Sequence, residues 1–332
     1  MFVEDYSSPI IHRRMLRDRV RCERYREAIF DTVKPGHVVA DLGTGTGILS
    51  VFAAQAGARK VYAIERTSTA DVARQVFEHN GVADRVEIIR GGMEEVELPE
   101  LADVMISEWI GSYGIDENLL PAVLLARDRW LNANGKMIPE HVTGWMALAS
   151  DADLDADMAF WRGKPYGVDL RVMAERRAQE PIFADYDLGE GDLLARPQAL
   201  WVTDAYRCSP DEGSRPFRAA LTFPVTKPGR LTSLVAWFTA ELAPGTSLTN
   251  APGAPKTHWR LATFPLNRAV SVERGTEVAV EFVCELAGPG YCHVRWSARI
   301  GDAPWEHHDT RAVSEAGDRA TGTPLHYSYP AG

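Results

Sequence analysis

Two glutamates nine positions apart, Glu108 and Glu117 in SEWIGSYGIDENLL, flank a short glycine-bearing segment that follows the apolar run ADVMI. A short apolar run bounded by turn residues reads as a buried strand, so the pair belongs to a turn at the mouth of a sheet. Carboxylates paired in such a place can work as acid and base, bind a metal, or hold a cation. Residue type alone leaves the three open.

A second constellation is VVADLGTGTGILS, with Asp41 at a strand end, Gly43, Gly45 and Gly47 in the turn, and an apolar helix start directly after. Glycines let the backbone adopt positive φ and pass close under a ligand, and a helix N-terminus presents free N–H groups. A nucleotide-like cofactor is implied. A dinucleotide fold asks for G-x-G-x-x-G/A, and the residue that would complete that motif here is Ile48. The G-x-G-x-G form after an acidic residue resembles the S-adenosylmethionine (SAM) loop of class I methyltransferases. Glu65, ending VYAIER, stands where an acceptor for ribose hydroxyls is expected in either family.

The elements that must position these residues can be read from periodicity. HVVADLG, KVYAIER, RVEIIRG, ADVMISE and GKMIP are predicted strands, and GILSVFAAQAGA, TADVARQVFEHNG and ENLLPAVLLARDRWL are predicted helices between them. That alternation predicts a doubly wound parallel sheet over residues 36–139. From residue 140 to 300 the chain changes to strands without long helices between them (HVTGWMALAS, QALWVTDAY, FRAALTFPV, RLTSLVAWFTAEL, HWRLATFPL, TEVAVEFVCEL and CHVRWSARI), which predicts a β-barrel or sandwich. Within it, residues 155–180 read as a helical excursion exposing Trp161, Tyr166 and Met173, a candidate docking arm. Residues 1–35 form an N-terminal helical segment, and residues 301–332 read as a loose tail whose WEHHD stretch is solvated.

Composition narrows the class. The 332 residues carry 36 Lys and Arg against 46 Asp and Glu, a formal net charge of −10, which disfavours nucleic acid as the main partner and mildly favours a cationic substrate. No stretch approaches the length of apolar residues that a membrane span requires, and the N-terminus lacks the order of a secretory signal. Cys22, Cys208, Cys284 and Cys292 show no C-x-x-C spacing, so neither a zinc site nor a disulfide framework is expected. A cytoplasmic protein without metal, nucleic-acid or membrane partner is the expectation.

SEWIGSYGIDE resembles the double-glutamate loop of the protein arginine methyltransferases, in spacing and in Trp109 after the first glutamate. KTHWR, with Thr257, His258 and Trp259, is similar to that family's THW loop, and IIHRRMLRDRVRCERYR to the segment that folds over bound SAM. The resemblance implies a SAM-binding α/β domain, a β-barrel and a dimerisation arm, hence a homodimer. It further implies that Glu108 and Glu117 clamp an arginine guanidinium, that His258 pairs with Asp18 as a proton-accepting or loop-holding dyad, and that Trp259 borders the substrate. Arg21 would meet the SAM carboxylate, Met15 would lie beside the transferred methyl, Glu94 would receive the adenine amino group with Met93 against the ring, and Tyr6 would match an N-terminal aromatic of the family. A structural role competes for Glu117, as a first-turn carboxylate of a helix capped by Asp116. SYGID replaces a bulkier loop filling and Leu119 a methionine, which points to monomethylation first, with asymmetric dimethylation left open. The acceptor is either peptide arginine or free L-arginine, and the competing functions are SAM-dependent methylation of another guanidino or amino metabolite and a non-catalytic scaffold.

Overall fold

The computed structural model describes residues 8–183, 188–288 and 291–312. Two helices, α1 (Pro9–Arg17) and α2 (Arg19–Thr32), lead into an alternation of β1 (Val38–Leu42), α3 (Ile48–Gln55), β2 (Lys60–Glu65), α4 (Thr69–His79), β3 (Val86–Arg90), β4 (Ala102–Ser107), α5 (Leu120–Trp130) and β5 (Leu131–Ile138). The five strands form one parallel sheet in the order β3-β2-β1-β4-β5. The first three strands step outward from β1 and the chain then returns to lay β4 on its other side. Ligands of open α/β sheets bind at such a reversal, outside the strands' carboxyl ends. Leu42 is in register with Ser107, so the glycine turn after β1 and the glutamate loop after β4 leave the sheet side by side.

The second half contains β6 (His141–Ala149), α6 (Ala152–Arg162), α7 (Arg171–Arg177), β7 (Gln198–Asp204), α8 (Pro210–Ser214), β8 (Phe217–Pro224), β9 (Gly229–Ala243), β10 (Thr246–Thr249), β11 (Ala262–Val272), β12 (Glu277–Gly288), β13 (Tyr291–Ile300) and β14 (Glu306–Asp309). They make two antiparallel sheets, β10-β9-β6-β7 with β11 on β9, and β14-β13-β12-β8, which form a barrel-like domain. Outward and inward residues alternate along β8, as the period-2 pattern predicts. One continuous core of buried apolar side chains runs through both domains and includes Trp109, Ile110, Tyr113 and Ile115 of the glutamate loop.

Four expectations change. Residues 306–309 are a strand paired with β13, and His308 is buried there, stacked flat on Trp296 at 4.8 Å and donating from Nδ1 to the Ala178 carbonyl at 2.6 Å. Over residues 306–309 an aromatic partner thus overrides the polar composition that suggested a loose tail; residues 313–332 lie outside the described residues. The helical excursion is two helices packed through Leu154, Met158, Ala174 and Ala178, with Trp161 half-buried against them; Phe160, Tyr166, Val168, Val172 and Met173 are the exposed apolar residues. Asp116 does not cap a helix: its carboxylate accepts from the N–H groups of Ser112 and Tyr113, and α5 starts only at Leu120. The strand expected from His258 begins at Ala262, because His258 and Trp259 bond elsewhere.

Candidate active site

In the glycine turn, Gly43, Gly45 and Gly47 all have positive φ. A Cβ on Gly47 would lie 2.4 Å from Phe77, so this position needs glycine for room as well as for conformation, while one on Gly45 would press on the His12 ring at 3.1 Å. Nothing lies within 4 Å of a Cβ placed on Gly43, which leaves an open cradle over the turn. Asp41 is buried beneath it and accepts from Thr44 Oγ1 at 2.6 Å and Ser50 Oγ at 2.7 Å. Burial raises the Asp41 carboxyl above its ordinary range, against the lowering effect of those two hydroxyls. Asp41 therefore shapes the turn from below. Glu65 reaches the same turn from β2: Oε2 accepts from Gly45 N–H at 3.0 Å and Oε1 from Thr67 N–H at 2.8 Å. Each oxygen retains lone-pair capacity for a hydroxyl.

Past β3 the chain turns at residues 92–95, with Met93 half-buried and Glu94 exposed, its carboxyl folded back over Gly92. Arg129 fixes this turn by donating to the carbonyls of Glu94 at 3.1 Å and Val96 at 2.7 Å. From the other side, α1 covers the glycine turn. His12, three residues before Met15 on the same helix face, is buried over Gly45 with Nε2 3.4 Å from Thr69 Oγ1. Sequence reasoning passed over His12, although its i, i+3 spacing to Met15 was a usable signal. Tyr6 lies outside the described residues.

The chain breaks at Asp18 between α1 and α2, and three functional residues meet there. Asp18 Oδ1 accepts from Arg21 N–H at 2.9 Å and caps α2. Its Oδ2 accepts from His258 N–H at 2.6 Å and from His258 Nδ1 at 2.9 Å. Burial alone would push this carboxyl up; the bonds from the His258 ring, Arg21 N–H and His258 N–H outweigh it and hold Asp18 below the usual carboxylate range. Because a carboxylate only accepts, Nδ1 of His258 carries the hydrogen. Arg21, buried, donates from Nε at 3.2 Å and Nη2 at 3.0 Å to Glu108 Oε2. Burial disfavours the Arg21 charge, but Glu108 more than restores it, so its pKa is raised. Glu108 Oε1 accepts from Ile110 N–H at 3.2 Å.

Between the two glutamates the chain doubles back through paired Gly111 and Gly114. Its carbonyls, which need partners once buried, are met one after another from the barrel: Ile110 by Trp259 Nε1 at 2.6 Å, Ser112 by Asn250 Nδ2 at 2.7 Å, Tyr113 by Trp201 Nε1 at 2.9 Å, and Asp116 by Cys292 Sγ at 3.3 Å. Tyr113 is edge-on to Phe264 and Phe282. A Cβ on Gly114 would lie 2.0 Å from Trp201, which explains the glycine at this point of the loop. Trp259, expected at the substrate, is buried against Phe238 and anchors the loop through Ile110. Glu117 is half-buried in the turn before α5, outside the helix, which removes the first-turn role. Among the described residues no group of three or more His, Cys, Asp or Glu is arranged to hold a metal ion.

Comparison with known proteins agrees with this layout. Residues 11–138 match a family profile described as PRMT5 arginine-N-methyltransferase, and residues 140–288 one described as the arginine methyltransferase oligomerization subdomain. The chain is similar to protein arginine N-methyltransferase PRMT10 of Oryza sativa subsp. japonica, at 36% identity over 308 residues covering 83% of this chain and 81% of the relative. It is 34% identical to protein arginine N-methyltransferase 6 of Danio rerio, covering 85% and 83%. Among solved structures it resembles Arabidopsis thaliana protein arginine methyltransferase 10 in an open conformation, at a TM-score of 0.77 and 30% identity over 92% of this chain and 99% of that one. It also resembles a Trypanosoma brucei PRMT1 enzyme-prozyme complex with AdoHcy, at a TM-score of 0.82 and 26% identity over 92% and 98%.

Proposed function

Because the chain belongs to the protein arginine methyltransferase family, we propose that it transfers a methyl group from SAM to a terminal nitrogen of an arginine side chain at the mouth of β1 and β4. The observation that carries this reading is Glu108: a nearly buried carboxylate at the sheet's reversal point, already gripping the guanidinium of Arg21 and accepting, among the described residues, one N–H on its second oxygen. A site that holds one guanidinium by its fork has the chemistry to hold another.

The residues present fit the donor. The cradle over Gly43, the carboxylate of Glu65 facing the turn and the cation of Arg21 would receive a nucleoside's backbone approach, its ribose hydroxyls and an amino-acid carboxylate respectively. When bound, SAM supplies an electrophilic methyl on a sulfonium. An arginine guanidinium is delocalised, stays protonated up to a pKa above about 12 and is a poor nucleophile as it stands. Glu108 and Glu117 align its N–H groups and draw the positive charge to one part of the fork, leaving the other terminal nitrogen richer in lone-pair character. With SAM bound, that nitrogen would take the methyl, the N–C bond forming as the S–C bond breaks, and its extra proton would leave afterwards. His258 donates from Nδ1 to Asp18, which leaves Nε2 as the ring atom turned to the transfer. Orientation of this kind is worth up to about 7–11 kcal/mol in well-placed systems.

The first product is monomethylarginine in a peptide or protein. The arm's exposed Phe160, Tyr166, Val172 and Met173, in the part of the chain matching the oligomerization subdomain, support a homodimer. Free L-arginine as acceptor is a second reading: a cavity of about 350 Å³ beside Ile115 and Asn118 carries Arg207 and Arg215, with Arg207 3.6 Å from Asp204 and Glu212 also in the lining. Mass spectrometry of products from an arginine-rich peptide and from free arginine tests both readings. Methylarginine from one acceptor selects between them, and no methylarginine from either would overturn the function.

A further inference from the structure

Asn250 lies just past β10 and is buried, yet its side chain bonds to three separate parts of the molecule. Oδ1 accepts from Phe238 N–H at 2.9 Å, and Nδ2 donates to the Ser112 carbonyl at 2.7 Å and to the Arg260 carbonyl at 3.1 Å. The amide's orientation follows from its partners, because a flipped amide would set donor against donor and acceptor against acceptor. Phe238 belongs to β9 and its ring packs on Trp259 at 5.1 Å. Ser112 sits midway between Glu108 and Glu117. Arg260 directly follows His258 and Trp259, which are fastened to Asp18 and Ile110.

We propose that Asn250 is a positioning residue for the transfer: its carboxamide fixes the glutamate loop against the His258 segment, so that one guanidinium meets both. The inference rests on the reading of Glu108 and Glu117 as the clamp. No other side chain donates to carbonyls of both segments among the described hydrogen bonds, and both carbonyls lie in part-buried surroundings where an unmet acceptor is unfavourable. Asn250→Asp keeps size and the Oδ1 acceptor but turns an anion toward two carbonyls; Asn250→Ala removes all three bonds.

The test combines kinetics with hydrogen exchange on the full chain. Each variant is expected to lower kcat/KM for an arginine-rich peptide about ten- to a hundredfold, the effect of one unmet buried acceptor or a small misplacement of the clamp, and to lower the thermal midpoint, with SAM affinity close to wild type. Amide exchange should rise together in segments 109–117 and 257–261. Wild-type kinetics in either folded variant, or faster exchange confined to β9 and β10, would overturn the proposal. Wild-type protein needs no substitution for a further check: the two segments should open at the same rate, and unrelated rates count against the coupling. If wild-type protein methylates no arginine acceptor while the segments still open as one, the clamp reading fails and the coupling stands.

Discussion

The cofactor cleft and the glutamate loop leave adjacent strands, yet they are held in opposite ways. Around the cleft, Thr44 and Ser50 bond to Asp41 from three and nine residues away, and Gly45 to Glu65 from twenty. The loop's carbonyls are met from 149, 138, 88 and 176 residues downstream, by Trp259, Asn250, Trp201 and Cys292. The cleft is thus a product of the α/β half, whereas the clamp exists only once the barrel has formed against it. Cofactor binding and acceptor alignment should therefore separate under mutation.

Glu108→Gln should separate them most sharply. Removing the charge that polarises the acceptor lowers kcat by about 10²- to 10³-fold, while SAM affinity by calorimetry changes by less than about tenfold. Turnover near that of wild type would break the comparison at its centre. Gly47→Ala should do the reverse. A side chain at φ +88 that meets Phe77 at 2.4 Å destabilises by about 2–4 kcal/mol from backbone strain and overpacking together, and the loss should fall on SAM affinity, with kcat at saturating cofactor retained. Trp201→Phe tests the loop from the barrel side. It leaves the Tyr113 carbonyl without its donor, a penalty of about 1–3 kcal/mol, expected as a lower kcat with SAM affinity unchanged; equal losses in both would show that the barrel also shapes the cleft.

The same contrast explains how much could be read in advance. Glu108, the glycine turn, Glu65 and the strands that carry them lie in contiguous strings whose period and spacing are visible, and the parallel, doubly wound sheet followed from the alternation of strands with helices, though its strand order did not. Trp201 and Asn250 were invisible because their partners, Tyr113 and Ser112, lie 88 and 138 residues away and nothing in the neighbouring sequence marks them. Asp41 showed its place but not its direction: an acidic residue at a strand end faces solvent or ligand as readily as it turns under the loop toward Thr44 and Ser50. His308 was misjudged for a related reason, since the flat face of Trp296 that buries it belongs to another strand. Long-range side-chain bonds, rather than period or propensity, account for these differences.

The smallest effect is expected at Asp18, where the two regions touch, because this one carboxylate caps α2 below Arg21 and holds the His258 segment of the barrel. Its pKa is depressed in the folded protein by those donors despite burial. A depressed carboxyl contributes stability that is present above its unfolded pKa and is lost as pH falls through its folded value. Asp18→Asn retains one acceptor and removes the titration. Its thermal midpoint should lie below that of wild type at neutral pH by the equivalent of about 1 kcal/mol, and the gap should close as pH falls below the ordinary aspartate range. Thermal scans across that range check it, and a gap constant with pH would mean that the latch works through shape alone, with no share for the charge.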